Sequence, residues 1–140
     1  MAGATADRVE AFLQRAPYFR FLGMRAEFDG EVMTGVLPFA QHLIGNPMLP
    51  ALHGGVIGAF MEMTALAQLS LAQPGRRVPK TIDVTIEYLR SAGPKDTYAR
   101  AILRKVGRRV ANVQVEAWQE SRAKPVAGMT GHFLLRNEAT

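Results

Sequence analysis

The chain has no cysteine. Disulfides and thiolate nucleophiles are therefore excluded, and the composition suits a reducing, cytoplasmic setting. Histidine is scarce too. His42, His53 and His132 show neither ligand spacing nor a neighbouring acid cluster, so no metal is expected. The N-terminal stretch MAGATADRVEAF lacks the long apolar region of a signal peptide. No repeat or low-complexity tract divides the 140 residues, which read as a single domain over 1–140 with an N-terminal helical segment over 1–20.

Charge is missing from the middle. From Val32 to Pro74 the only formally charged side chain is Glu62, set within LHGGVIGAFMEMTALAQLSLA, residues 52–72. That run approaches transmembrane length, yet Glu62, Thr64, Gln68 and Ser70 interrupt it. It reads as a buried core helix, with no membrane insertion expected. Positive charge concentrates later: residues 76–109 hold ten Lys and Arg against Asp83, Glu87 and Asp96, a local excess of +7. Such a patch fits nucleic acid, a membrane surface or a phosphorylated small molecule, or is simply a set of solvated strand faces. No nucleic-acid motif or aromatic interleaving accompanies it, so no nucleic-acid partner is expected.

Asp7 to Ala16 reads as a short amphipathic helix, with Asp7 and Glu10 at capping-box spacing and Pro17 as its stop. Leu22–Phe28 and Glu31–Leu37 flank Asp29-Gly30, a hairpin signal. A loop with Pro38, Gly45, Pro47 and Pro50 leads to a helix over about 54–72, apolar nearly all round and ended by Pro74-Gly75. Four strands are expected after it: Lys80–Arg90, Thr97–Val106, Arg109–Glu120 and Pro125–Arg136. Ile82, Val84, Ile86 and Tyr88 alternate onto one face, as do Val113, Val115 and Ala117. Short connections favour antiparallel neighbours. The expected class is α+β, an antiparallel sheet curled around one long apolar helix.

The chemistry lies at that helix. Its N-terminus presents unpaired backbone N–H groups and a partial positive charge, and Gly54 and Gly55 leave the backbone open to a substrate. An amide there could stabilise the oxyanion formed when a carbonyl is attacked. Glu62 could activate water or attack directly. Together they suggest acyl transfer to water. Gly54 and Glu62 are separated by about 12 Å along a helix, so one small reacting group cannot touch both. A two-fold dimer in which Glu62 of one chain faces Gly54 of the other resolves this.

Leu52-His53-Gly54-Gly55, Glu62 nine residues after His53, and TIDVTIEYLRSA from Thr81 to Ala92 resemble the hotdog-fold acyl-CoA thioesterases of the phenylacetate-degradation (PaaI) type. GRRVANVQVEAW and PVAGMTGHFLL resemble the last two strands of that family. The resemblance implies a central helix within a curved antiparallel sheet, and homodimers that often pair into homotetramers. It also implies an active site across the dimer interface. It makes Gly54 the donor that polarises the thioester carbonyl, Glu62 the general base or nucleophile, His53 a positioning group, and Thr81 a residue that helps hold the attacking water. Asn46 matches a family asparagine but lies seven residues before His53 rather than six, so either the loop absorbs one extra residue, the favoured case, or the asparagine's role is lost. Glu62 stands where close relatives often have Asp, and Ser91 where many have Pro.

The reaction so implied is hydrolysis of an acyl-CoA to a free acid and CoA, with no cofactor beyond the coenzyme A of the substrate. The acyl group is expected against Gly55, Val56, Phe60 and Met63. Arg90, Lys105, Arg108 and Arg109 are the residues expected to meet the phosphates of CoA. A non-catalytic acyl-CoA-binding protein and a hotdog dehydratase or hydratase are the alternatives. The first would not need Glu62, and the second would need a different acid/base pair.

Overall fold

The computed structural model describes residues 2–137. Helix α1 (Ala2–Arg15) begins before the expected start, so Asp7 and Glu10 lie inside it and not at a cap. Pro17 ends α1 but also opens α2 (Pro17–Leu22), because a proline in the first helical turn forfeits no hydrogen bond and has its φ already set. Gly23, at φ 75°, closes α2 by donating its N–H to the carbonyls of Phe19 and Arg20. Leu22 thus ends a helix, and the strand expected from it starts at Arg25. Strands β1 (Arg25–Asp29) and β2 (Val32–Leu37) form the expected hairpin, with Gly30 at φ 63° in the turn.

The proline-rich loop holds more order than its composition suggests. A 3-10 turn, Gln41–Leu43, leads into β3 (Ile44–Asn46), which pairs with β4 (Ala51–Leu52). The central helix α3 then runs Gly54–Ala72, as expected. Strands β5 (Arg77–Tyr88), β6 (Thr97–Val106), β7 (Val110–Trp118) and β8 (Ala127–Arg136) complete a six-stranded antiparallel sheet in the order β1-β2-β6-β7-β8-β5. The observed β5 starts three residues earlier and ends two earlier than expected, and β7 and β8 are trimmed by one or two residues at their ends.

The sheet wraps α3. Alternation sends Ala111, Val113, Val115 and Ala117 of β7 inward, beside Ala127, Met129, Phe133 and Leu135 of β8. Small side chains at several of these positions let the helix approach closely. At Gly35 of β2 the fit is tight enough that an added Cβ would lie 2.7 Å from Thr64 Oγ1 and 3.3 Å from Phe60 Cε1. Phe60 is wholly buried, and its truncation to alanine would cost about 3–5 kcal/mol. Helix α3 is long and apolar enough to cross a membrane, but here its apolar surface is met by the sheet. One stripe is less covered: Gly55 is exposed, and Ala59, Glu62 and Leu66 are half-buried. These residues recur at three- and four-residue steps, so they share one face of the helix.

Candidate active site

The first half of the site is the start of α3. His53 is its N-cap, and the imidazole Nδ1 accepts the Gly55 N–H at 2.9 Å. The His53 carbonyl takes the N–H groups of Val56 and Ile57. Gly54 N–H has no acceptor among the described residues, so the one donor left over at this helix end belongs to the glycine that the sequence singles out. His53 is itself locked in place. Its N–H donates to the Leu43 carbonyl at 2.9 Å, and a Cβ on Gly45 would stand only 2.6 Å from its Cα, so residue 45 must be glycine for the loop to pass. The pairing of β3 with β4 slips at this glycine: Ile44 faces Leu52 and Asn46 faces Ala51. That slip takes up one residue. Asn46 itself is exposed, and its Oδ1 accepts the Met48 N–H at 3.0 Å.

Tyr88, which sequence reasoning placed only on a strand face, has a specific task here. Its hydroxyl donates to the Gly54 carbonyl at 2.7 Å. Beside this contact runs an open groove of about 370 Å³ lined by Leu52, Gly54, Ile57, Tyr88, Arg90 and Ser91, among others.

The second half lies two turns along α3. The half-buried Glu62 is met by Thr81 of β5, whose Oγ1 donates to Glu62 Oε2 at 2.6 Å. Parity makes this contact possible. Thr81 pairs with Phe133, whereas Asp83 pairs with His132, so Ile82 is an extra residue in β5. Val84, Ile86 and Tyr88 pair with or lie beside inward residues of β8, and Ile86 Cδ1 reaches to 2.8 Å from a Cβ built on Gly58 of α3. An uninterrupted strand could not turn both Thr81 and Val84 toward the helix, because odd and even positions point to opposite faces. The bulge breaks the expected alternation at Ile82, which has no partner in β8, so only Val84, Ile86 and Tyr88 carry it in regular register.

Val56, Phe60 and Met63, expected against the acyl group, are packed into the core of the chain itself, 7%, 0% and 2% exposed. The less covered stripe beside Glu62 is Gly55, Ala59 and Leu66. The four basic residues expected to act together are also divided. Arg90 borders the Gly54 groove and donates to the Pro125 carbonyl at 2.7 Å. Lys105, Arg108 and Arg109 are exposed at the other end of the sheet, where β7 begins opposite Leu134. Along β8 those ends are about 23 Å apart, too far for one phosphate group to bridge within a chain. The histidines have separate partners. His42 Nε2 lies 2.8 Å from the Phe21 carbonyl, and His132 Nδ1 lies 2.8 Å from Asp83 Oδ1. No group of three metal-ligating side chains occurs among the described residues.

Residues 49–126, from the loop before α3 to the end of the connection that leads into β8, match the thioesterase superfamily. The chain belongs to that superfamily. This thioesterase is similar to the medium/long-chain acyl-CoA thioesterase YigI of Escherichia coli, 27% identical over 141 aligned residues covering 90% of each chain. The crystal structure of a Chromobacterium violaceum protein is 35% identical, with a TM-score of 0.75 over 97% of this chain and 98% of that one. A Haemophilus influenzae thioesterase, 20% identical, superposes with a TM-score of 0.83 over 94% of this chain and 90% of the other, a likeness of fold. The expected hotdog architecture and the expected class of thioester hydrolase both hold.

Proposed function

We propose that this thioesterase hydrolyses acyl-CoA at a site shared by two copies of the chain, as in the PaaI-type enzymes it resembles. The observation that carries the reading is the pair of prepared groups on one helix: a carboxylate held by Thr81, and a Gly54 N–H without an acceptor. Glu62 takes a proton from water as the water oxygen attacks the thioester carbon. The oxygen of the tetrahedral intermediate accepts from Gly54 N–H of the partner subunit. Collapse breaks the C–S bond, and the proton on Glu62 passes to the departing CoA sulfur. Direct attack by Glu62, followed by hydrolysis of the resulting anhydride, uses the same groups. The name of the Escherichia coli relative supports CoA as the carrier.

Strand β5 supports the two-chain arrangement. It is the longest strand, it lies at an edge of the sheet, and Ile82, Val84 and Tyr88 along it, with Leu89 just past its end, leave 37–54% of their surfaces exposed. A long, partly apolar edge is a template for pairing with another strand. Strand β5 holds the two halves of the site, Thr81 with Glu62 and, at its C-terminal end, Tyr88 with Gly54. A two-fold axis near Val84 and Thr85 exchanges these two positions, bringing Glu62 of one chain toward Gly54 of the other. The same rotation carries Arg90 of the partner subunit toward the basic end of the sheet, where phosphates of CoA would find both. Further pairing into tetramers, a cytoplasmic location and the lack of any added cofactor complete the proposal.

The test is thiol release from short, medium, long and aromatic acyl-CoAs by wild type and Glu62→Gln. A loss of at least about a hundredfold in kcat is expected. Undiminished turnover in the variant would place the catalytic group elsewhere, and acyl-CoA binding without any wild-type turnover would make the protein a binder.

A further inference from the structure

A second cavity lies at the opposite end of α3, where α1 crosses it. It encloses about 370 Å³, within the range of small-molecule sites. Val9, Phe12, Leu71 and Val78 supply its apolar wall, and Arg8, Arg15 and Arg76 its charge. No acidic residue lines it. Among the described residues, none of the three arginines forms an ion pair. Three unpaired guanidinium groups around one cavity repel each other, and an anion would relieve that repulsion.

A second observation points the same way. Ser70 Oγ and Arg76 Nε are the buried side-chain polar atoms without a hydrogen-bond partner among the described residues, and both belong to the wall of this cavity. The Arg76 guanidinium is anchored through Nη1 to Gln73 Oε1 at 2.6 Å and through Nη2 to the Arg108 carbonyl at 3.4 Å. Its Nε–H, buried and unused, remains as a donor. Leaving such a donor unpaired costs about 1–3 kcal/mol. A small turn of Ser70 and Arg76 would give an oxyanion one hydroxyl and one guanidinium donor, with Arg8 and Arg15 at the exposed mouth. None of Glu62, Thr81, His53 or Gly54 lines this cavity, and Ser70 lies about 12 Å beyond Glu62 along the helix.

We propose that this cavity binds a small amphipathic oxyanion, a carboxylate or phosphate held by Arg76 and Ser70 with its apolar part against Phe12 and Leu71. The proposal does not depend on the thioesterase site. It is tested by following backbone amide resonances of the full chain during titration with decanoate, decyl phosphate and decanol. Saturable shifts at Ser70, Leu71 and Gly75 are expected with both anions, and binding at least tenfold weaker with decanol. Whichever anion binds more tightly identifies the headgroup. Arg76→Gln should weaken anion binding at least tenfold. Should that variant not fold, the double variant Arg8→Gln/Arg15→Gln, altered only at exposed positions, should weaken it at least threefold. Shifts confined to Gly54 and Gly55 would mean that the anion occupies the thioester site alone. That result would overturn the proposal, as would equal binding of decanol or indifference to the arginine substitutions.

Discussion

Replacing Thr81 with valine removes one hydroxyl and keeps the branched shape that β-strands favour. The bulge at Ile82 and the packing around it should persist, so the variant isolates the bond from Thr81 Oγ1 to Glu62 Oε2. A hydrogen bond to a charged group contributes about 1.5–3 kcal/mol. Glu62 is only half-buried, where water competes, so the lower figure of about 1.5 kcal/mol applies. If the bond serves to hold the carboxylate at its attack angle, that energy appears in the barrier as a loss of about tenfold in kcat. KM should stay within about twofold, because the bond touches no part of the substrate that is bound before reaction. Thr81→Ser restores the hydroxyl and should recover most of the rate. The assay is steady-state thiol release on the best acyl-CoA of the panel, with thermal unfolding of each variant beside it. A valine variant within twofold of wild type would refute the positioning role. So would a serine variant as slow as the valine one, since shape and not the hydroxyl would then be what matters.

Deleting Ile82 removes the bulge and leaves Thr81, Asp83 and Val84 consecutive opposite Phe133, His132 and Gly131, so Thr81 and Val84 still share the helix-facing side; turnover should stay within about tenfold of wild type, and a loss of a hundredfold or more would show that the bulge itself shapes the site. Gly54→Ala places a Cβ about 3.4 Å from the Tyr88 ring, near the edge of ordinary contact. Its melting temperature should change little, because alanine gains helix propensity, while the methyl crowds the free N–H and lowers kcat by tenfold or more. Full activity would move the oxyanion donor elsewhere. Because the chain has no cysteine, single cysteines placed in turn from 80 to 88 report the pairing of β5. Disulfide-linked dimers should form most readily at Val84 or Thr85, where paired Cα atoms lie about 5 Å apart. A monomer by light scattering, or a maximum at either end, would contradict the two-fold arrangement.

What could be read from the sequence was the periodic part. The limits of α3 and β6 were legible because the helix is bounded by His53-Gly54 and Pro74-Gly75, and β6 by Pro94 and Gly107. The β3–β4 pair was not, since strands of three and two residues are too short to show a period. Pro17 was read as a stop when it is also a start, an ambiguity inherent in a residue that suits the first helical turn. The bulge left a trace that went unread. Thr81 was assigned to the site on the helix and Ile82, Val84, Ile86 and Tyr88 to one apolar face, positions of opposite parity that cannot both meet the helix along a regular strand. Only an inserted residue reconciles them. Tyr88 and the divided basic residues required three dimensions, because nothing local in the sequence shows that a strand end meets a helix start, or that Arg90 and Arg109 lie at opposite ends of one sheet.

The open stripe of α3 and the open edge of β5 become one argument when taken together. Helix and strand run antiparallel, so β5 touches α3 at both residues of the site: Tyr88 at the Gly54 carbonyl, Thr81 at the Glu62 carboxylate. Each contact leaves its partner's reactive atom free, the N–H in one case and Glu62 Oε1 in the other. A single chain therefore holds both reactive groups in position yet too far apart to work on one carbonyl. On the proposed reading, pairing at β5 covers Ile82, Val84 and Leu89 and joins the two halves in the same step. Burial of those side chains contributes on the order of 25 cal/mol per Å², and that energy becomes available only when the sites are assembled. Dimer stability and catalytic geometry are then properties of one strand, and a substitution at its middle should disturb both without touching a reactive group.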